Sequence, residues 1–159
     1  MFVWRIASDT RDFLAEDLSG RGAEKTGGRW NRAGSPVVYC AGSIALACLE
    51  IVVHLQVAGL PLSRFLVRVD IPDEVWARRQ TLQAASLPVG WSAIPEGLVS
   101  VELGQRWLAS MASAVLELPS VIVPEENNCL INPRHPDATG ITALKLRNWS
   151  YDGRFDRRA

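Results

Sequence analysis

The sequence has no surplus of either charge: Lys and Arg together number 17, and Asp and Glu also number 17. A chain that grips nucleic acid or an anionic membrane needs basic excess on one face, so neutrality speaks against both. Cysteine is scarce and odd in number, at Cys40, Cys48 and Cys129. No two have CxxC spacing, which excludes a fully paired disulfide framework and a dithiol motif. Long apolar runs are missing too. The longest, Ile44 to Val53, is interrupted by Glu50 and is too short to span a bilayer. The first residues, MFVWRIASD, carry no charged lead, apolar stretch and small-residue cleavage site in succession. A cytoplasmic address is the expectation. Lysine is nearly absent, two against fifteen arginines. Genome base composition can produce that bias, but Arg is also the planar donor that grips phosphates and carboxylates in pairs.

What remains is ordinary globular material. A length of 159 residues, 48% hydrophobic and 21% charged, predicts one domain over 1–159 that buries its core without a disulfide or metal staple. Phe2–Ala7, Val37–Ala41, Arg64–Ile71, Ser120–Val123 and Ala143–Trp149 read as short strands. Ser43 caps a helix running to about Gln56, and Glu102–Leu116 reads as an amphipathic helix. Residues 19–35 read as a glycine-rich loop, 72–100 as loops with short helical turns, and NNCLINPRHPDATG as an Asn/Pro-rich connection. Short strands mixed irregularly with two main helices predict an α+β fold, a small mixed sheet with flanking helices.

Two features look out of place. Glu50 sits in a segment that is apolar on nearly every side, where an ionised carboxylate is costly unless paired or open to a polar cavity. It is either a helix-edge residue tied to a structural arginine, or a catalytic carboxylate aimed into a cleft. Ala47, one turn earlier, is small enough to leave room beside it, and His54 falls on the same face. A metal site is not expected, because His135 is the only other histidine and no Cys/Asp cluster completes a ligand set. The second feature is SGRGAEKTGGRWNRAGS, which packs five glycines among Arg21, Lys25, Arg29 and Arg32. Such a loop is either solvated surface or a cradle in which backbone N–H groups and arginines approach phosphate. It contains no Walker A and no dinucleotide fingerprint. Tyr39 is a core aromatic or a face for a flat ring, and Ser120 a strand-entry residue or a ligand contact. Asn127, Asn128 and Asn132 form turns or donate to a ligand. A Ser-His-Asp hydrolase is excluded, since LPSVI is no nucleophile elbow.

Together SGRGAEKTGGRWN, VVYCAGSIALACLEIVVH and LPSVIVPEENNCLINPRHPD resemble the RES-domain family, toxins of RES–Xre toxin–antitoxin systems, over roughly residues 4–150. The name denotes an Arg, a Glu and a Ser, which match Arg29, Glu50 and Ser120. Tyr39 matches the family's tyrosine before the helix. The resemblance implies an ADP-ribosyltransferase-like fold that consumes NAD⁺ as substrate, with no further cofactor and no metal. The expected reaction breaks the nicotinamide–ribose bond by hydrolysis or phosphorolysis. ADP-ribosylation of a protein target is the alternative. Catalytic roles fall to Glu50, Arg29, Tyr39 and Ser120, and dinucleotide contacts to Arg21, Lys25, Arg29, Arg32, Tyr39 and Asn128. Ser120 is expected to position the substrate amide or ribose by hydrogen bonding rather than attack. The implied partner is a cognate Xre-type, DNA-binding antitoxin in an oligomeric toxin–antitoxin complex, and a basic pocket of Arg21, Arg29 and Arg32 suits an acidic segment or chain-terminal carboxylate of that partner. This chain itself is expected to touch neither nucleic acid nor membrane. A non-catalytic nucleotide- or partner-binding module is the competing class, and Glu50 discriminates: a binder of phosphates gains nothing from a carboxylate beside them.

Overall fold

The strand β1 (Phe2–Ser8) alternates so that Val3 and Ala7 face one side and Trp4 and Ile6 the other. A computed structural model describes residues 1–53 and 63–155. In it β1 pairs antiparallel with β3 (Arg64–Asp70) along its whole length, from Phe2↔Asp70 to Ser8↔Arg64. The sheet has seven strands in the order β4-β5-β6-β2-β1-β3-β7. The remaining members are β2 (Val38–Ala41), β4 (Gln80–Thr81), β5 (Val115–Pro119), β6 (Asn127–Ile131) and β7 (Thr142–Trp149). All neighbours are antiparallel except β4 and β5. The α+β mixed sheet expected from the sequence is the fold observed.

Three apolar clusters hold the layers. On one face Val3, Ala7, Val38, Val67, Val69 and Ile131 form a core that runs across both halves of the sheet. Val75 of α3 (Asp73–Ala77) joins it. The opposite face is divided. α2 (Ile44–Val52) covers the β1–β3 half through Leu46 and Ala47, which pack with Ile6, Ala41 and Leu66. α4 (Leu98–Ser110) covers β5 and β6 through Trp107, which packs with Leu116, Leu118 and Leu130. Ser43 caps α2, its hydroxyl accepting from Leu46 N–H at 3.1 Å, as the sequence predicts. The predicted continuation to Gln56, with His54, lies outside the described residues.

Four local expectations change. Residues 21–26 of the glycine-rich stretch form a short helix, α1 (Arg21–Thr26), because Gly20 and Gly27, both at positive φ, bound it and no β-branched residue interrupts it before Thr26. The helix expected over 102–116 starts and stops earlier, at Leu98 and Ser110, with Met111 left-handed at its end; Val115–Pro119 is then a central strand buried on both faces. Ser120–Val123 is a tight turn, its Ser120 hydroxyl accepting from Ile122 and Val123 N–H at 3.0 and 3.2 Å. Asn127–Ile131, read as connection, is a strand between β5 and β2 whose paired neighbours outweigh its asparagines.

Candidate active site

β1 and β2 are joined at one register pair only, Trp4↔Ala41. Beyond it Arg5 and Ile6 on one strand, and Tyr39 and Cys40 on the other, line a cleft of about 460 Å³ instead of continuing the ladder. α2 supplies Glu50 and Ala47 to its wall, and α1 with the following turn supplies Arg21 and Arg29. Where the two halves of the sheet part, the fold leaves room for a ligand.

Glu50 reaches across the cleft to the far half of the sheet. Its Oε1 accepts from Ser120 Oγ at 2.8 Å and from Asn128 Nδ2 at 2.5 Å. Ser120 is fully buried, and its hydroxyl donates once and accepts twice, which exhausts its capacity. It therefore has nothing left for the substrate amide or ribose it is expected to hold, and orients the Glu50 carboxylate instead. Asn128 does the same from β6, where it stands opposite Ala41 of β2. Among the described residues Oε2 of Glu50 has no hydrogen-bond partner, and Ala47 leaves space beside it on the same helix.

Arg29 stands in a turn, Gly28–Asn31, closed by Gly28 N–H to Asn31 carbonyl at 2.9 Å. Trp30 buries its ring against α4 and Trp91, at a centroid separation of 6.4 Å, while Arg29 faces the cleft. Gly104 in α4 permits this contact, since a Cβ there would stand 1.8 Å from the Trp30 carbonyl oxygen. Arg29 Nη1 donates to the Ala93 carbonyl at 2.9 Å, leaving the rest of its fork unoccupied among the described residues.

The structure brings Glu50, Arg29, Tyr39, Arg21 and Asn128 to one cleft, with Ser120 bonded behind Glu50. It does not bring Lys25 or Arg32 there. Lys25 Nζ lies 2.6 Å from Asp12, whose carboxyl it holds below the usual carboxylate range, and Arg32 lies 3.7 Å from Glu102. The expected pocket of Arg21, Arg29 and Arg32 is thus corrected to Arg5, Arg21 and Arg29, set against Asp17, Glu50 and Glu96. Arg5 was legible only as an arginine inside an apolar strand. Its Nη1 donates to the Asp17 carbonyl at 3.0 Å, and no carboxylate pairs with it among the described residues. Asn31, 1% exposed, was hidden within the GGRWN motif. Cys40 lines the cleft, but burial pushes its thiol up to about 12, and Cys129 is raised as well, which disfavours the thiolate at both. Among the described residues no group of three or more His, Cys, Asp or Glu side chains could hold a metal ion.

A family model described as RES domain matches residues 2–155. The chain belongs to the RES-domain family of toxins. A Sphingobium protein named Prs ADP-ribosylating toxin is 57% identical over 98% of this chain and 97% of its own. A Pseudomonas putida protein named Toxin Res is 38% identical over 98% and 99% of the two chains. The fold also matches a solved structure described as the Mycobacterium tuberculosis MbcT-MbcA toxin-antitoxin complex. That match has a TM-score of 0.66 at 16% identity, covering 91% of this chain and 83% of that one. Among the described residues of this RES domain no helix is long and apolar enough to cross a membrane.

Proposed function

We propose that this RES domain consumes NAD⁺ by breaking the bond between nicotinamide and ribose. The observation that carries the reading is Glu50: a carboxylate held at Oε1 by Ser120 and Asn128, with Oε2 unbonded among the described residues, lining a cleft that also holds three arginines. When the glycosidic bond breaks, its electron pair moves to the positively charged ring nitrogen and nicotinamide leaves neutral. Positive charge grows on the ribosyl C1 and ring oxygen, as in glycoside hydrolysis, and a fixed carboxylate stabilises it. Arg29, Arg21 and Arg5 supply paired donors for the diphosphate. No metal is needed, because the pyridinium ring is positively charged before the bond breaks and leaves as neutral nicotinamide.

The acceptor of the ADP-ribosyl group is water, phosphate or a protein side chain. The 57% identity to a Prs ADP-ribosylating toxin favours transfer to a protein, with Prs the first acceptor to try. Incubating the purified chain with NAD⁺, with and without inorganic phosphate and Prs, separates the three. A mass increase on Prs supports transfer, and ADP-ribose 1″-phosphate or free ADP-ribose supports the depletion reading. Intact NAD⁺ in all four mixtures overturns the proposal.

An enzyme that drains NAD⁺ or modifies a host protein requires a neutralising partner. The likeness to a solved toxin–antitoxin complex supports an antitoxin partner; we infer that this partner is of the Xre type, carries the operator-binding function and covers the cleft. Co-expression with such a partner should restore growth. Harmless expression of the chain alone, with cellular NAD⁺ unchanged, would remove the need for one.

A further inference from the structure

Tyr39 lines the cleft with its ring, but its hydroxyl is spent on the protein. The oxygen accepts from Trp30 N–H at 3.0 Å and donates to Asn31 Oδ1 at 2.8 Å. The Asn31 amide is fixed in turn, because its Nδ2 donates to the carbonyls of Ala23 at 2.9 Å, Ser35 at 2.8 Å and Arg32 at 3.2 Å. One buried side chain thereby ties α1 to the segment that follows the turn carrying Arg29. Gly28 leaves space for the arrangement, since a Cβ there would lie 2.9 Å from the Tyr39 oxygen and 3.2 Å from Asn31 Oδ1.

The geometry points to Tyr39 and Asn31 as a coupled pair of positioning residues that set Arg29 toward the substrate diphosphate, the Tyr39 hydroxyl acting through the turn and not on the ligand. The inference rests on the NAD⁺ reading of the cleft and deepens it. Arg29 immediately precedes the two residues the hydroxyl holds. Its guanidinium is long, so a small rotation of the turn moves the donor fork by more than a hydrogen bond tolerates. Removing the hydroxyl leaves Trp30 N–H and Asn31 Oδ1 both without their partner, while the aromatic ring in the cleft stays. Burial holds the Tyr39 phenol far above its usual range, so the donor to Asn31 persists through neutral pH.

The test measures kcat and KM for nicotinamide release in Tyr39→Phe, Asn31→Ala and the double variant, each in the wild-type and Arg29→Lys backgrounds. Tyr39→Phe keeps the ring and should fold. The pair predicts a KM for NAD⁺ raised about tenfold by either single change, with kcat changed by less than about threefold. It also predicts a double variant no worse than about twofold beyond the weaker single, because both act through one turn. In the Arg29→Lys background Tyr39→Phe should add little. An unchanged KM in Tyr39→Phe overturns the inference, as does an effect of that substitution that is undiminished when Arg29 is lysine. Should Asn31→Ala fail to fold, Tyr39→Phe across the two backgrounds decides alone. If Arg29→Lys itself leaves KM unchanged, the diphosphate reading of Arg29 fails, which is a different result from a failure of the pair.

Discussion

The two sides of the cleft are held by the same kinds of group in different ways. On the acid side a hydroxyl and a carboxamide, Ser120 and Asn128, bond directly to the Glu50 carboxylate. On the basic side a hydroxyl and a carboxamide, Tyr39 and Asn31, bond to the backbone turn beneath Arg29 and leave its guanidinium largely unclaimed. Glu50 also projects from a helix packed on the sheet, whereas Arg29 projects from a turn wedged between β2 and α4. The proposed reaction on NAD⁺ accounts for the difference. Charge developing at one carbon rewards a carboxylate fixed to within fractions of an ångström, and donors fixed in advance cost no reorganisation when the bond breaks. A flexible diphosphate is better met by a forked donor whose root is fixed and whose tip adapts.

Substitutions can break this comparison in order of expected effect. Glu50→Gln keeps the shape and removes the charge, so nicotinamide release should fall on the order of 10²–10³-fold with the melting temperature nearly unchanged. A folded variant with an undiminished rate would take Glu50 out of the mechanism. Ser120→Ala removes a donor to Glu50 and an acceptor for two N–H groups. Activity should drop about tenfold and stability by about 1–3 kcal/mol, measured by rate and by urea unfolding on the same preparation. Loss of stability without loss of rate would make Ser120 purely structural.

Gly104→Ala acts on the basic side at a distance. Its Cβ meets the Trp30 carbonyl, so the turn or the helix must shift, at a cost of about 1–3 kcal/mol. The KM for NAD⁺ should rise while kcat holds, whereas a fall in kcat alone would place the disturbance at Glu50. The smallest effects belong to Lys25→Ala and Arg32→Ala, which should leave the rate within about twofold, because both side chains pair outside the cleft. Alkaline pH sharpens the picture further. The buried Tyr39 phenol has its folded pKa above the unfolded value of about 10, so this group leaves stability untouched below pH 10 and erodes it above.

Legibility in the sequence tracked how local the signal is. The Glu50 anomaly was visible because one carboxylate in an apolar helix has few innocent explanations, and Ser43 announced the start of that helix. β5 was missed because a strand inside a sheet, buried on both faces, loses the alternation that betrays a strand, and β6 because its leading Asn127 and Asn128 read as a connection. The basic loop was legible as a loop with a purpose, but not which of its cations face inward. Lys25 and Arg32 turn away because Asp12 and Glu102, distant in sequence, receive them, and Arg5 joins because β1 and β2 part beside it. Asn31 was invisible as a lock, since its four partners come from α1, the segment after the turn and β2 and meet only in the folded chain.

The most direct test of the cleft's chemistry is to follow the products formed from NAD⁺ by the purified, antitoxin-free chain, resolved by mass. Scission of the nicotinamide–ribose bond predicts one nicotinamide for each NAD⁺ lost, with the ADP-ribosyl group recovered intact on its acceptor. NAD⁺ that survives with a folded enzyme, or that is cut instead at the diphosphate to AMP and nicotinamide mononucleotide, would contradict it.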